Sequence, residues 1–320
     1  MDAHLTPVHH IDPVALELGP LAIRWYGLAY VAGFVAVVLV LRFLAARRLT
    51  LIPKGEVIDF VTYAAIFGVM LGGRLGYVLL YDPSLLWPQP WRVLAIWDGG
   101  MASHGGIFGL MVFTLWYAWR RGLAWTHVGD SLVVGAPIGI CLGRVANFIN
   151  GELYGRVAPS LSWGMKFPGE LLNGDLPAAK ARQAWGAVQA HSPDLAVGDG
   201  AALIARLRDD PSLREALAPF LQTRHPSQLY QAALEGGVLF LFLLVLRVRF
   251  PRLSDGVLTA AFFIGYGGFR IFGEAFREPD SSLILGLTKG QFYSAIMIVV
   301  GLLFLGFALV RRRSSLADTN

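Results

Sequence analysis

The chain has 320 residues, 55% hydrophobic and only 15% charged, with a mean hydropathy of +0.54. Soluble domains usually carry about 25% charged residues, so this composition excludes an ordinary soluble domain. A formal charge of +5 in so apolar a chain is a matter of where the basic residues lie along helices, and it leaves no nucleic-acid footprint. A single cysteine, Cys141, excludes an internal disulfide.

The amino terminus lacks a basic n-region, and no small-residue cleavage site closes the first apolar run, so that run is expected to stay in the mature protein. Seven apolar segments follow in chain order, near 21–44, 57–81, 103–119, 127–149, 228–246, 256–276 and 291–310. A helix needs about 20 apolar residues to cross a bilayer. The expected fold is an all-α polytopic membrane protein with seven transmembrane helices. The third segment is short, and a re-entrant loop at 98–106 is expected to lead into it. Residues 156–224 carry Pro, Gly, Asp and Glu, a helical pattern at 199–221 and no spanning run. They read as a small extracytoplasmic head insert. The chain thus divides into 1–155 with four spans, 156–224 as the insert, and 225–320 with three spans.

Every odd-numbered segment finishes in a basic cluster. Arg42, Arg47, Arg48 and Lys54 follow the first, and Arg120 and Arg121 close the third. Arg247, Arg249 and Arg252 close the fifth, and Arg311, Arg312 and Arg313 the seventh. Lys and Arg collect on the cytoplasmic side, which places the amino terminus outside and the carboxyl terminus in the cytoplasm.

Ionisable residues inside a span are costly and are functional-site candidates. Arg74, Arg144 and Arg270 each precede the end of an outward-running segment, and at 1.5 Å per residue they lie roughly 8–10 Å below the outer boundary. Tyr26, His104, His225, Gln228 and Tyr230 belong to the same face, whereas the cytoplasmic halves are nearly apolar apart from Asp59, His127 and Asp130. On the sixth segment Tyr266, Arg270, Glu274 and Arg277 recur at helical spacing as one stripe. Arg144, Asn147, Gly151 and Tyr154 do much the same on the fourth. Guanidinium groups match phosphate bidentately, and at that depth the abundant phosphate belongs to a lipid headgroup.

Several of these residues also fit plainer roles. Arg24 and Arg277 lie near helix ends, where snorkelling accounts for them. Arg270 with Glu274 also fits an internal ion pair, Arg74 fits packing as well as binding, and Tyr26 fits an aromatic belt. No metal cluster, nucleotide loop or nucleophile dyad of convincing spacing is read, so no cofactor, metal or nucleic acid is expected. The alternative function is a transporter or flippase for an anionic lipid using the same arginines. Such sites usually lie near the bilayer midplane, away from the face marked here.

Six ordered stretches resemble the bacterial phosphatidylglycerol–prolipoprotein diacylglyceryl transferase family: HHIDPVALELGPLAIRWYGLAY, GGRLGYVLLYD, WDGGMASHGGIFG, GRVANFINGELYGR, HPSQLYQAALEG and GYGGFRIFGEAFREPD. They touch every segment but the seventh and skip the insert. The resemblance implies a seven-helix inner-membrane enzyme whose partners are phosphatidylglycerol, the surrounding lipids and a prolipoprotein signal peptide with its lipobox cysteine. It implies transfer of the diacylglyceryl group to that thiol, forming a thioether and releasing glycerol 1-phosphate. The family's essential His falls on His104, its signature Arg and Asn on Arg144 and Asn147, and its later Arg on Arg270. Supporting positions fall on Tyr26, Glu152, Gly155, Tyr266, Glu274 and Arg277, with Arg74 as a further binding candidate. Either His104 or Glu152 takes the thiol proton. The insert between Phe167 and Arg224 is longer than the family pattern.

Overall fold

Apolar runs of this length fold as helices because a helix satisfies its own backbone where water is absent. The computed structural model describes residues 6–19, 21–87, 90–95, 99–278 and 283–317. A hairpin comes first: β1 (Val14–Leu18) pairs antiparallel with β2 (Leu21–Arg24), Val14 opposite Arg24. Then follow α1 (Trp25–Ala46), α2 (Lys54–Leu80), α3 (Ser103–Arg121) and α4 (Trp125–Ile149). The insert contributes β3 (Met165–Lys166), α5 (Ala178–His191), α6 (Gly200–Asp209), α7 (Pro211–Leu217) and β4 (Thr223–Arg224). The chain closes with α8 (Ser227–Arg249), α9 (Val257–Glu274) and α10 (Lys289–Ala317).

The molecule is therefore mostly helical rather than all-α. Residues 21–24, expected to open the first helix, are instead a strand, because their backbone groups pair with β1; α1 starts at Trp25, whose N–H donates to the Pro13 carbonyl at 3.1 Å. The expected re-entrant loop falls partly outside the described residues, at 98. Its later part, 103–106, is the first turn of α3, entered from an extended Ala102 whose N–H donates to the Gly73 carbonyl at 2.9 Å. Five helices, α1, α2, α4, α8 and α10 over Lys289–Val310, are long and apolar enough to cross a membrane. The polar residues of α3 (His104, Arg120, Arg121) and α9 (Arg270, Glu274) set those two apart. Both α2 and α8 contain a seven-residue π-helical segment, Ala64–Met70 and Ala232–Val238.

The chain forms two compact units. The first comprises Met1–Val31, Ile140–Val238 and Gly265–Met297, and the second Ala32–Gly139, Leu239–Ile264 and Ile298–Asn320. Within the first, the insert has its own apolar core, with Leu203, Leu207, Leu213 and Leu217 fully buried alongside Ala184 of α5. The helical pattern at 199–221 resolves into two helices. Asp199 caps α6 by accepting from the Ala202 N–H at 3.0 Å; Asp210 caps α7, which opens with Pro211. β3 and β4 pair antiparallel, and Arg224 at the end of β4 fixes the insert to its base. Its buried guanidinium donates to Glu170, to Glu278 Oε2 at 2.9 Å and to the Gly155 carbonyl at 3.1 Å.

Within the second unit, α2 and α3 approach through glycines. A Cβ on Gly76 would stand 2.5 Å from the Gly105 Cα, and one on Gly72 2.6 Å from the Gly105 carbonyl oxygen. Small residues permit this contact in lipid. Buried polar groups are closed off by loops. Asp130 accepts from the Gly256 and Thr259 N–H groups, each at 2.8 Å, and from Thr259 Oγ1 at 2.7 Å. Arg247 Nε donates to the Leu49 carbonyl at 2.7 Å, and His127 meets Asp255 at 2.8 Å.

Candidate active site

Leaving α4, the chain reverses through Gly151 at φ +66° and Leu153 at φ +55°. A Cβ on Gly151 would stand 2.9 Å from His9 Nδ1, so the turn needs glycine both for its backbone angle and for space. Leu153 has no such freedom and holds a strained angle, of the kind that clusters at functional sites. The reversal turns Glu152 back onto α1. Tyr26 donates its hydroxyl proton to Glu152 Oε1 at 2.6 Å, and Asn147 Nδ2 donates to the same oxygen at 2.8 Å and to the Tyr26 hydroxyl. Gln228, on the first turn of α8, donates to the Glu152 backbone carbonyl at 2.6 Å. Three expected residues, Tyr26, Asn147 and Glu152, thus form one hydrogen-bonded group.

A second group forms around Glu235, a residue not among the candidates drawn from the sequence. Glu235 lies in the π segment of α8 and its side chain is fully buried. Arg144 donates to Glu235 Oε2 through Nε at 3.4 Å and Nη2 at 3.3 Å, and Arg270 Nη1 donates to Oε1 at 3.5 Å. Arg270 Nη2 also pairs with Glu274 Oε1 at 2.9 Å. Glu274 in turn receives Arg277 Nη1 at 3.4 Å and the Thr288 hydroxyl at 3.0 Å. Arg144 and Arg270 therefore face one shared carboxylate, and the expected stripe Arg270–Glu274–Arg277 continues the network. Tyr266 stands one helical turn before Arg270 on α9. A carboxylate inside an apolar run, visible in HPSQLYQAALEG, was the sequence signal for Glu235.

Gly155 serves a backbone crossing. Its N–H donates to the His225 carbonyl at 2.9 Å, it bridges Arg277, and a Cβ there would stand 2.5 Å from the Phe276 carbonyl oxygen and 2.6 Å from that of His225. Beside it, burial holds the His225 imidazole below its ordinary pKa. His9, stacked on Phe167 and edge-on to Phe148, is lowered to about 4, chiefly by burial.

The two remaining expected residues lie in the second unit. Arg74, 2% exposed, directs its guanidinium at backbone carbonyls: Nε to Val93 at 3.0 Å, Nη2 to Arg92 at 2.6 Å, and Nη1 to Gly99 and to Gly100 at 3.3 Å. All four carbonyls belong to described residues between α2 and α3. His104 lies in the first turn of α3 and is exposed. Among the described residues no group of three His, Cys, Asp or Glu is placed to hold a metal ion.

Apolar helices of spanning length define a polytopic membrane protein, and Arg144 on α4, Glu235 on α8 and Arg270 on α9 form a buried charged cluster within it. The profile of the prolipoprotein diacylglyceryl transferase family matches residues 13–307. Proteins named phosphatidylglycerol–prolipoprotein diacylglyceryl transferase align along nearly the whole chain. That of Paramagnetospirillum magneticum is 41% identical over 306 residues, covering 94% of this chain and 95% of its own. That of Azospirillum brasilense is 42% identical over 311 residues, covering 95% and 96%. That of Burkholderia cenocepacia is 40% identical over 318 residues, covering 96% and 98%. The chain belongs to the prolipoprotein diacylglyceryl transferase family.

Proposed function

We propose that the Arg144–Glu235–Arg270 cluster is the phosphate end of a transferase site. With it the chain moves the diacylglyceryl group of phosphatidylglycerol onto the lipobox cysteine of prolipoproteins. The observation that carries this reading is the single buried carboxylate shared by two guanidinium groups from different helices. The connected network sets three guanidinium groups, Arg144, Arg270 and Arg277, against two carboxylates, Glu235 and Glu274, and the excess positive charge suits a further anion, the lipid phosphate.

In the reaction the cysteine thiol loses its proton and the sulfur attacks the headgroup-side carbon of the diacylglyceryl glycerol. The carbon–oxygen bond to phosphate breaks, the thioether forms, and glycerol 1-phosphate leaves with the electron pair. Arg144 and Arg270 stabilise charge developing on the leaving phosphate, where fixed donors act strongly. Tyr26, Asn147 and Glu152 orient the lipid. Glu274 and Arg277 steady Arg270, Tyr266 shares its helix face, and Gly155 and Arg74 hold the surrounding backbone. His104 accepts the thiol proton; loss of the acidic limb of the pH–rate profile in His104→Gln checks this, and an unchanged limb transfers the role to Glu152. The setting is the bacterial inner membrane, with seven spans, the amino terminus outside, the carboxyl terminus in the cytoplasm, and residues 156–224 as an extracytoplasmic head between 1–155 and 225–320. The basic clusters closing the odd-numbered segments support that orientation.

The test uses purified protein in phosphatidylglycerol vesicles with a lipobox peptide. The expected product is a peptide heavier by one diacylglyceryl group on cysteine, with glycerol phosphate released in equal amount. Lipid translocation without a covalent product overturns the reading in favour of a flippase.

A further inference from the structure

We propose that Gln228 and Gln231 select the hydroxylated headgroup of the lipid donor, Gln228 by accepting a hydrogen bond and Gln231 by donating one. The proposal rests on the transferase reading above and goes on to name what gives the site its headgroup preference. Both residues lie on the first turns of α8, three positions apart and hence on one face. They are 1% and 2% exposed. Each leaves one side-chain atom buried without a partner: Gln228 Oε1, an acceptor, and Gln231 Nε2, a donor.

The orientation of Gln228 follows from its neighbour. Its Nε2 meets the Glu152 backbone carbonyl, which can only accept, so Oε1 is the atom left over. Gln231 borders the arginine cluster. The point where a Cβ on Gly273 would stand lies 3.6 Å from Gln231 Nε2 and 3.7 Å from Glu235 Oε1, the oxygen that receives Arg270. The missing side chain at Gly273 thus leaves the amide donor and that carboxylate beside the same small space. The pair is framed by Glu152 on one side and Glu235 on the other.

Buried polar atoms without partners are uncommon, and each calls for an explanation. One acceptor and one donor on a single helix face suit a group that both donates and accepts. A hydroxyl does so, an ammonium only donates, and a quaternary ammonium does neither. A glycerol headgroup, with two free hydroxyls, supplies what the pair lacks. A bound water is the competing occupant.

The experiment compares phosphatidylglycerol with phosphatidylpropanol, which has the same phosphate and charge but no free headgroup hydroxyl. Both are presented in vesicles with a lipobox peptide. The unmodified protein is expected to favour phosphatidylglycerol by about 10- to 100-fold in kcat/KM. Gln231→Met is expected to lose most of that preference by slowing transfer from phosphatidylglycerol alone, with an unfolding midpoint unchanged or raised. A merely structural glutamine would lower the midpoint and slow both lipids together. Equal use of the two lipids by the unmodified protein, which needs no variant, overturns the proposal and assigns the pair to water. Preference persisting in Gln231→Met overturns it as well. Transfer from neither lipid removes the transferase reading itself, a result distinct from equal transfer from both.

Discussion

Two sets of buried polar groups, one in each unit, are treated in opposite ways. In the second, Arg74 distributes its donors over four carbonyls and Asp130 accepts three hydrogen bonds, so each charge is saturated by the chain itself. In the first, the arginines reach Glu235 only through contacts of 3.3–3.5 Å, and all three buried side-chain atoms without partners among the described residues, His9 Nε2, Gln228 Oε1 and Gln231 Nε2, are found there. Charges saturated by the chain hold a structure, whereas buried polar groups short of partners call for a further explanation, which the proposals above supply. An identical residue type, arginine in a membrane span, therefore carries different meanings that only its partners reveal.

The sharpest way to break this comparison is to swap chemistry at one arginine of each kind. Arg144→Lys keeps the charge and loses the fork, and transfer is expected to fall on the order of 10²–10³-fold with little change in the unfolding midpoint. Full activity in that variant removes the argument for a bidentate phosphate contact. Arg74→Met should behave in reverse, losing about 3 kcal/mol of stability as its carbonyls go unpaired. If thermal unfolding is normal and activity is absent, Arg74 belongs to the chemistry and the contrast fails. A third measurement concerns His9, neutral when folded because burial lowers it from 6.5 to about 4. The unfolded chain binds the extra proton below pH 6.5, so the contribution is intact above that pH and is lost as pH falls towards 4, by about 3 kcal/mol in all. His9→Phe should flatten this part of the stability profile, and an unflattened profile places the acid sensitivity elsewhere. The smallest effect is expected for Tyr26→Phe, which removes one hydroxyl from Glu152 and should slow transfer about 10-fold. A much larger loss, read from the same peptide assay, would put the phenol at the reacting atoms.

Much of the molecule is legible in its sequence. Apolar runs announce helices, and the positions from Tyr26 to Arg277 pointed to the residues that Glu152, Glu235 and Glu274 gather. Glu235 was written in the sequence as a carboxylate in an apolar run, yet its pairing depends on the π segment, which shifts the helix face and leaves no compositional trace. The carbonyls around Arg74 are equally invisible, since any residue supplies one. The hairpin 14–24 escaped because its second strand is as apolar as the helix that follows, and α5 because its alanine-rich sequence lacks a strong apolar stripe.

The π segment of α8 also bears on how such a site arises and disappears. A π turn amounts to an α turn carrying one additional residue. Losing a single codon within 232–238 would restore regular winding and swing the glutamine pair by about 100° against the turns that follow. The span would be shorter by only about 1.5 Å, so a lineage can lose the proposed headgroup contacts while keeping a helix that still fits its bilayer.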